Sequence, residues 1–126
     1  MAEEMSWTPE AIGVAGPVVV EVLTGVRGRV LSVATPGWSL TFRIPDGGVA
    51  ALAAFLRANT GRAEFAECMA GSFCECPVRV INDDEYADRL WLRVFGDGQL
   101  ADFPLVGEAV GWFVAAVAKA ASVGWV

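Results

Sequence analysis

From Trp38 to Ile44 apolar and polar residues alternate. Trp38, Leu40, Phe42 and Ile44 share one face, and Ser39, Thr41 and Arg43 share the other. A period of two predicts a strand with one buried face. After Pro45-Asp46-Gly47-Gly48 the period changes. Val49, Leu52, Phe55 and Leu56 recur at spacings of three and four, which predicts a helix capped by Asp46 and stopped at Asn59-Thr60-Gly61. A looser echo starts at Trp91, where Trp-Leu-Arg-Val-Phe-Gly-Asp-Gly also precedes a helical pattern.

The same reading extends along the chain. Residues 1–16 look like a tail with one helical turn, since Thr8-Pro9-Glu10 is a helix-start signal and Gly13 and Gly16 end it. Pro17–Thr24 is β-branched and apolar and predicts a covered strand; Arg29–Ala34 predicts a second. In the second half, Ala63–Ala70, Cys74–Ile81 and Tyr86–Phe95 predict three more, with Pro77 pointing to an edge or a bulge. Gly96-Asp97-Gly98 reads as a tight turn, and Leu105–Ser122 as the longest helix, with Val106, Ala109, Val110, Phe113, Val117 and Ala121 in one stripe. The expected fold is therefore α+β: a two-layer sandwich with a mostly antiparallel sheet of about six strands and two helices on one face, in βββα-βββα order. Residues 17–126 form its single domain.

Composition changes the picture mainly by exclusion. The chain has 126 residues, 55% of them hydrophobic, which is enough for one real core. It carries a formal charge of −6, which repels phosphate backbones and anionic membranes, so neither nucleic acid nor a membrane is an expected partner. A basic protein suits that charge. There is no histidine, which removes Ser-His-Asp and Cys-His machinery and the commonest metal ligand. The nine basic residues comprise eight arginines and Lys119; with abundant Ala, Gly and Val, this is the signature of a GC-rich genome, bacterial or phage. No secretory signal is visible, and the uncharged run Ala109–Ala118 is too short to span a bilayer, so a cytoplasmic protein is expected.

Four groups of residues could carry a function. Arg89, Trp91, Arg93 and Phe95 share the face of their strand opposite Leu90, Leu92 and Val94; an arginine–aromatic stripe there suits docking of a protein or an anionic aromatic molecule. Its structural alternative is pairing with acids such as Glu21 or Glu75 on neighbouring strands. Asp83, Asp84, Glu85 and Asp88 form an acidic cluster that lacks the spacing of a calcium loop; it reads as a solvated hairpin tip or as an acidic contact to a basic partner. Trp112 and Trp125 lie off the core pattern, as does Trp7, and are candidates for contact with a second copy or a partner. Cys68, Cys74 and Cys76 are odd in number and match no zinc spacing; they read as free thiols, with a Cys68–Cys74 disulfide or a metal site as the alternatives. Gly47-Gly48 lacks a Walker or dinucleotide pattern around it, and no cofactor is expected.

The functional expectation is a non-catalytic acidic protein-interaction module, sharing its physical profile with immunity, anti-defence and secretion-chaperone proteins. A small-ligand sensor or sponge, or a structural subunit of a bacterial or phage assembly, is the alternative. A single-stranded nucleic-acid binder is disfavoured by the charge, and an enzyme by the missing catalytic side chains.

Overall fold

The structure, a computed structural model, describes residues 6–96 and 98–123, with Gln99 described by its backbone. The chain runs β1 (Thr8–Ala15), β2 (Val18–Gly25), β3 (Gly28–Ala34), β4 (Ser39–Ile44), α1 (Gly48–Asn59), β5 (Ala66–Phe73), β6 (Cys76–Asn82), β7 (Arg89–Gly96), β8 (Gln99–Val106) and α2 (Glu108–Ala121). The strands make one sheet in which spatial order equals chain order, and every neighbouring pair is antiparallel. The α+β class is as expected, but the sheet has eight strands and each half reads ββββα.

The two unexpected strands are the sheet's edges, and each has a physical reason to escape a hydrophobic pattern. In β1 the small residues Ala11 and Gly13 point inward and are buried, while Ile12 and Val14 point outward and are exposed. The inward side must be small because α2 lies directly on it: a Cβ on Gly13 would overlap the Ala116 carbonyl. Thr8 and Pro9, read as a helix start, instead pair with Thr24 and Leu23, with a bulge before Ala11. In β8 Pro104 breaks the apparent strand propensity. A proline cannot donate to a ladder, and an edge strand is where that is tolerated. Gly107, at φ 65°, separates β8 from α2, so the expected helix over Leu105–Ser122 divides into a strand end and Glu108–Ala121.

The echo between the halves also moves. The strand that leads into α2 is β8, so the counterpart of the Trp38–Ile44 segment is Gln99–Val106; the Trp91 strand, β7, is the counterpart of β3. Elsewhere boundaries shift by a few residues. Tyr86, Ala87 and Asp88 belong to the β6–β7 loop, and Cys74 and Glu75, at φ 48° and 68°, make the two-residue turn between β5 and β6.

One core joins both halves. Val18, Val20 and Val22 of β2, Leu31 and Val33 of β3, Leu40 and Phe42 of β4, Val78 and Val80 of β6, and Leu90 and Leu92 of β7 meet Val49, Leu52 and Leu56 of α1 and Phe113, Ala116 and Val117 of α2. The helices lie side by side on this face; α2 covers β1 and β2, and α1 reaches β5. The halves meet at a narrow seam, where β4 and β5 share one register pair, Arg43 with Ser72. Gly71 permits that approach, because a Cβ there would overlap the Arg43 carbonyl. The helix ends differ in part from expectation. Thr60 and Asn59 close α1 by donating to Leu56 and Phe55 carbonyls, as the stop signal suggests. At the other end Gly47 is the cap residue, and Asp46 instead accepts from Arg29 at 2.7 Å, beside the Arg29–Glu10 pair at 2.8 Å.

Candidate interaction surfaces

The first surface is the side of the sheet that carries no helix. Register places Arg89, Trp91, Arg93 and Phe95 of β7 there, with Leu90 and Leu92 buried on the other side. Across β8 they face Val106, Pro104, Asp102 and Leu100. Across β6, Trp91 faces Ile81 and Arg93 faces Arg79. The acid that answers Arg93 is Asp102, rather than Glu21 or Glu75. Its carboxylate takes two hydrogen bonds from the guanidinium, at 2.7 and 3.0 Å, and these hold Arg93 above its ordinary pKa. Asp102 went unrecognised as a partner because β8 did. Arg89 stacks on the Tyr86 ring at 4.2 Å instead of on Trp91. Phe95 and Leu100, paired beside the β7–β8 turn, are 54% and 52% exposed, and Val106, at the far end of the hairpin, is 51% exposed, so both ends present apolar side chains to solvent. Arg43 and Glu21, Glu67 and Asp102 lie on the same open face, which thus gathers four of the chain's nine basic residues against three acids.

The second surface is built around the β6–β7 loop, whose Ala87 and Asp88 reach the helical side. Asp83 organises the loop. One carboxylate oxygen accepts the backbone N–H of Glu85 at 2.6 Å and of Tyr86 at 3.0 Å, and the other accepts the Trp91 indole N–H at 3.2 Å. The two backbone hydrogen bonds, helped by Trp91 and by the charge of Arg89, hold Asp83 below the usual carboxylate range. Asp83 therefore shapes the cluster, while Asp84, Glu85 and Asp88 are exposed. The Asp88 carbonyl accepts the Gly107 N–H at 2.9 Å, which ties the loop to the start of α2. Beside that tie lies a groove of about 400 Å³. Val110, Gly111, Val114, Ala115 and Ala118 of α2 line one side; Thr60 and Gly61 after α1, with Ala87 and Asp88, line the other. Asn82, almost fully buried, holds the linker beneath it by donating to the Arg62 and Glu64 carbonyls at 2.9 and 2.7 Å.

The remaining candidates separate. Trp112 is half-buried and lies against Gly16 in the β1–β2 turn, so much of its ring is covered by its own chain. Trp7 is more exposed and lies against Gly25. Trp125 falls outside the described residues. The three cysteines are free thiols; Cys74 is exposed, and burial pushes the Cys68 thiol up. Among the described residues no group of three Cys, Asp or Glu side chains gathers where it could hold a metal ion. Among them, too, no helix is long and apolar enough to cross a membrane. Neither known family models nor characterised proteins give a match to this sequence.

Proposed function

We propose that the chain is a non-catalytic interaction module that binds a basic, amphipathic segment of a partner protein in the groove between α2 and the β6–β7 loop. One observation carries this reading: the acidic loop and the apolar groove are neighbours. Asp88 lines the groove together with Gly107 and Val110, Asp84 and Glu85 belong to the same exposed loop, and Glu108 follows Gly107 in the chain. An apolar floor with a charged rim is the composition of a protein interface. Gly111, Ala115 and Ala118 leave room for a partner's helix to approach closely. Two basic residues adjoin the lining in sequence, Arg62 beside Gly61 and Lys119 beside Ala118, and the Lys119 ammonium donates to the Val14 carbonyl. The −6 charge of the chain steers a cationic partner toward this surface and disfavours a second acidic copy.

The test is site-specific photo-crosslinking in the native host. A photoreactive residue replaces Ala118 in the groove and, as control, Thr41 on the open sheet face. The reading expects an adduct from position 118 alone, with a partner whose cross-linked peptide is basic. It also expects that adduct to fade when Asp84, Glu85 and Asp88 are changed to Asn, Gln and Asn. Equal yields from both positions, undiminished yield after neutralisation, or an adduct with a second copy of the chain would overturn it.

A further inference from the structure

Two arginines face each other on the open side of the sheet. Arg79 of β6 and Arg93 of β7 are directly opposed in register. Like charges in that position are destabilising unless something anionic lies between or beside them. Arg93 is answered by Asp102 through its Nε and one Nη, which leaves its other Nη edge free of that carboxylate. Arg79 has no such partner among the described residues. Its Nη1 stands 4.0 Å from Glu67 Oε1, with the two side chains 48% and 41% exposed. An exposed pair at that distance contributes little and is easily exchanged for a better acceptor.

The same two guanidinium groups border a cavity of about 240 Å³, completed by Pro77, Phe95 and Leu100. Its walls are thus two fork-shaped donors on one side and exposed apolar surface on the other. Phe95 and Leu100 are paired across β7 and β8 and are both more than half exposed, so an apolar group seated on them would remove surface from water. Among side chains, guanidinium is the one whose planar donors match a carboxylate two at a time. The geometry points to a binding site for an aromatic carboxylate: the ring rests on Phe95, Leu100 and Pro77, and the carboxylate takes hydrogen bonds from Arg79 and from the outer edge of Arg93. The ligand displaces Glu67 from its loose contact and leaves the Arg93–Asp102 fork in place. This site lies on the opposite side of the sheet from the α2 groove and does not depend on it.

A carboxylate beside a ring occurs both in small aromatic acids and at a peptide chain's C-terminal phenylalanine. The probes are therefore phenylacetate, acetyl-Gly-Gly-Phe with a free C-terminus, and the amide of each. Binding is followed by backbone amide NMR shifts of the full chain. The expected result is that at least one acid shifts residues 79, 93, 95 and 100, while its amide does not. A stronger response to phenylacetate assigns the site to small acids, and a stronger response to the peptide assigns it to protein C-termini. Arg79→Gln should weaken the acid by about tenfold or more, the loss of one charge-assisted hydrogen-bonding group. Phe95→Ser, also an exposed position, should weaken it independently with both arginines kept. The site is refuted if neither acid shifts these residues at about 10 mM, a concentration that reports even feeble affinity. It is equally refuted if the amides act like the acids, or if folded Arg79→Gln binds like the parent chain.

Discussion

The indole N–H of Trp38, the residue that leads into β4, donates to the carbonyl of Pro104 in β8 at 2.8 Å, although β4 and β8 stand four places apart in the sheet. A flat sheet would hold those strands about 19 Å apart. The contact therefore measures how strongly the sheet curls around its helices. The Trp38 ring also meets Phe103, with centroids 5.3 Å apart and planes at 59°. Trp38 thus fastens the first half of the chain to the far edge of the second. Trp38→Phe should keep part of the ring contact and lose the hydrogen bond, costing about 0.5–1.5 kcal/mol. Trp38→Ala should cost more, because an aromatic pair contributes about 0.5–1.5 kcal/mol beyond its burial. Urea unfolding followed by far-ultraviolet dichroism measures both. Equal stability of the three proteins would mean that this contact does not hold the curl.

Two glycines facing opposite environments make a second test. Gly13 lies under α2, where a methyl group would overlap the Ala116 carbonyl; Gly111 lies within α2 with nothing within 4 Å of the place a Cβ would occupy. Gly13→Ala should push α2 away from β1 and destabilise the fold by about 1–3 kcal/mol or more. Gly111→Ala should stabilise it by about 0.5–1 kcal/mol, since alanine restricts the unfolded chain and favours helix. Thermal unfolding of the two variants should therefore move in opposite directions. A tolerated Gly13→Ala would show that α2 is free to shift on the sheet.

These residues also explain what the sequence made legible. Strands with large apolar residues on one side, such as Leu40-Phe42-Ile44 and Leu90-Leu92, announce themselves by alternation. Strand β1 does not, because a helix resting on it demands Ala11 and Gly13 on the inner side, and the larger Ile12 and Val14 face out. Strand β8 does not, because Pro104 and Asp102 are poor strand formers that an edge accepts and a central strand would refuse. The side of β7 carrying Arg89, Trp91, Arg93 and Phe95 could be read from its own alternation. Their partners could not: Asp102 lay on an unread strand, and Arg79 became significant only through register. The acidic run was visible at once, but its position beside an α2 groove is a product of the Asp88–Gly107 hydrogen bond, which leaves no trace in a single sequence.

Asn82 is the buried polar residue among the described residues, and its amide is committed to two carbonyls of the α1–β5 linker. Asn82→Ala leaves the Arg62 and Glu64 carbonyls without that donor. Such a loss costs about 1–3 kcal/mol when the freed groups stay buried. Hydrogen exchange should show faster protection loss around residues 62–66 than in β2 or β3. Uniform loosening across the sheet would instead mean that Asn82 acts as generic core volume.

Asp83 links stability of the β6–β7 loop to acid. Its folded pKa lies below the usual carboxylate range because the Glu85 and Tyr86 backbone N–H groups hydrogen-bond the ionised form. A carboxylate depressed on folding contributes stability that is fully present above its unfolded pKa and is lost as the pH falls through its folded pKa. The loop should therefore stay ordered through mildly acidic conditions and loosen only below the ordinary carboxylate range. The Trp91 indole N–H, which also donates to Asp83, is a direct reporter by NMR. Its acid transition should have a midpoint below that range, and Asp83→Asn should remove the transition while keeping an acceptor for the two amides. Asp83→Ala should release all three donors and mobilise Asp84 and Glu85 while leaving the sheet intact. If the groove binds a basic segment, that variant should bind more weakly despite retaining Asp84, Glu85 and Asp88. Unchanged affinity would show that these acids act by charge alone and need no fixed loop.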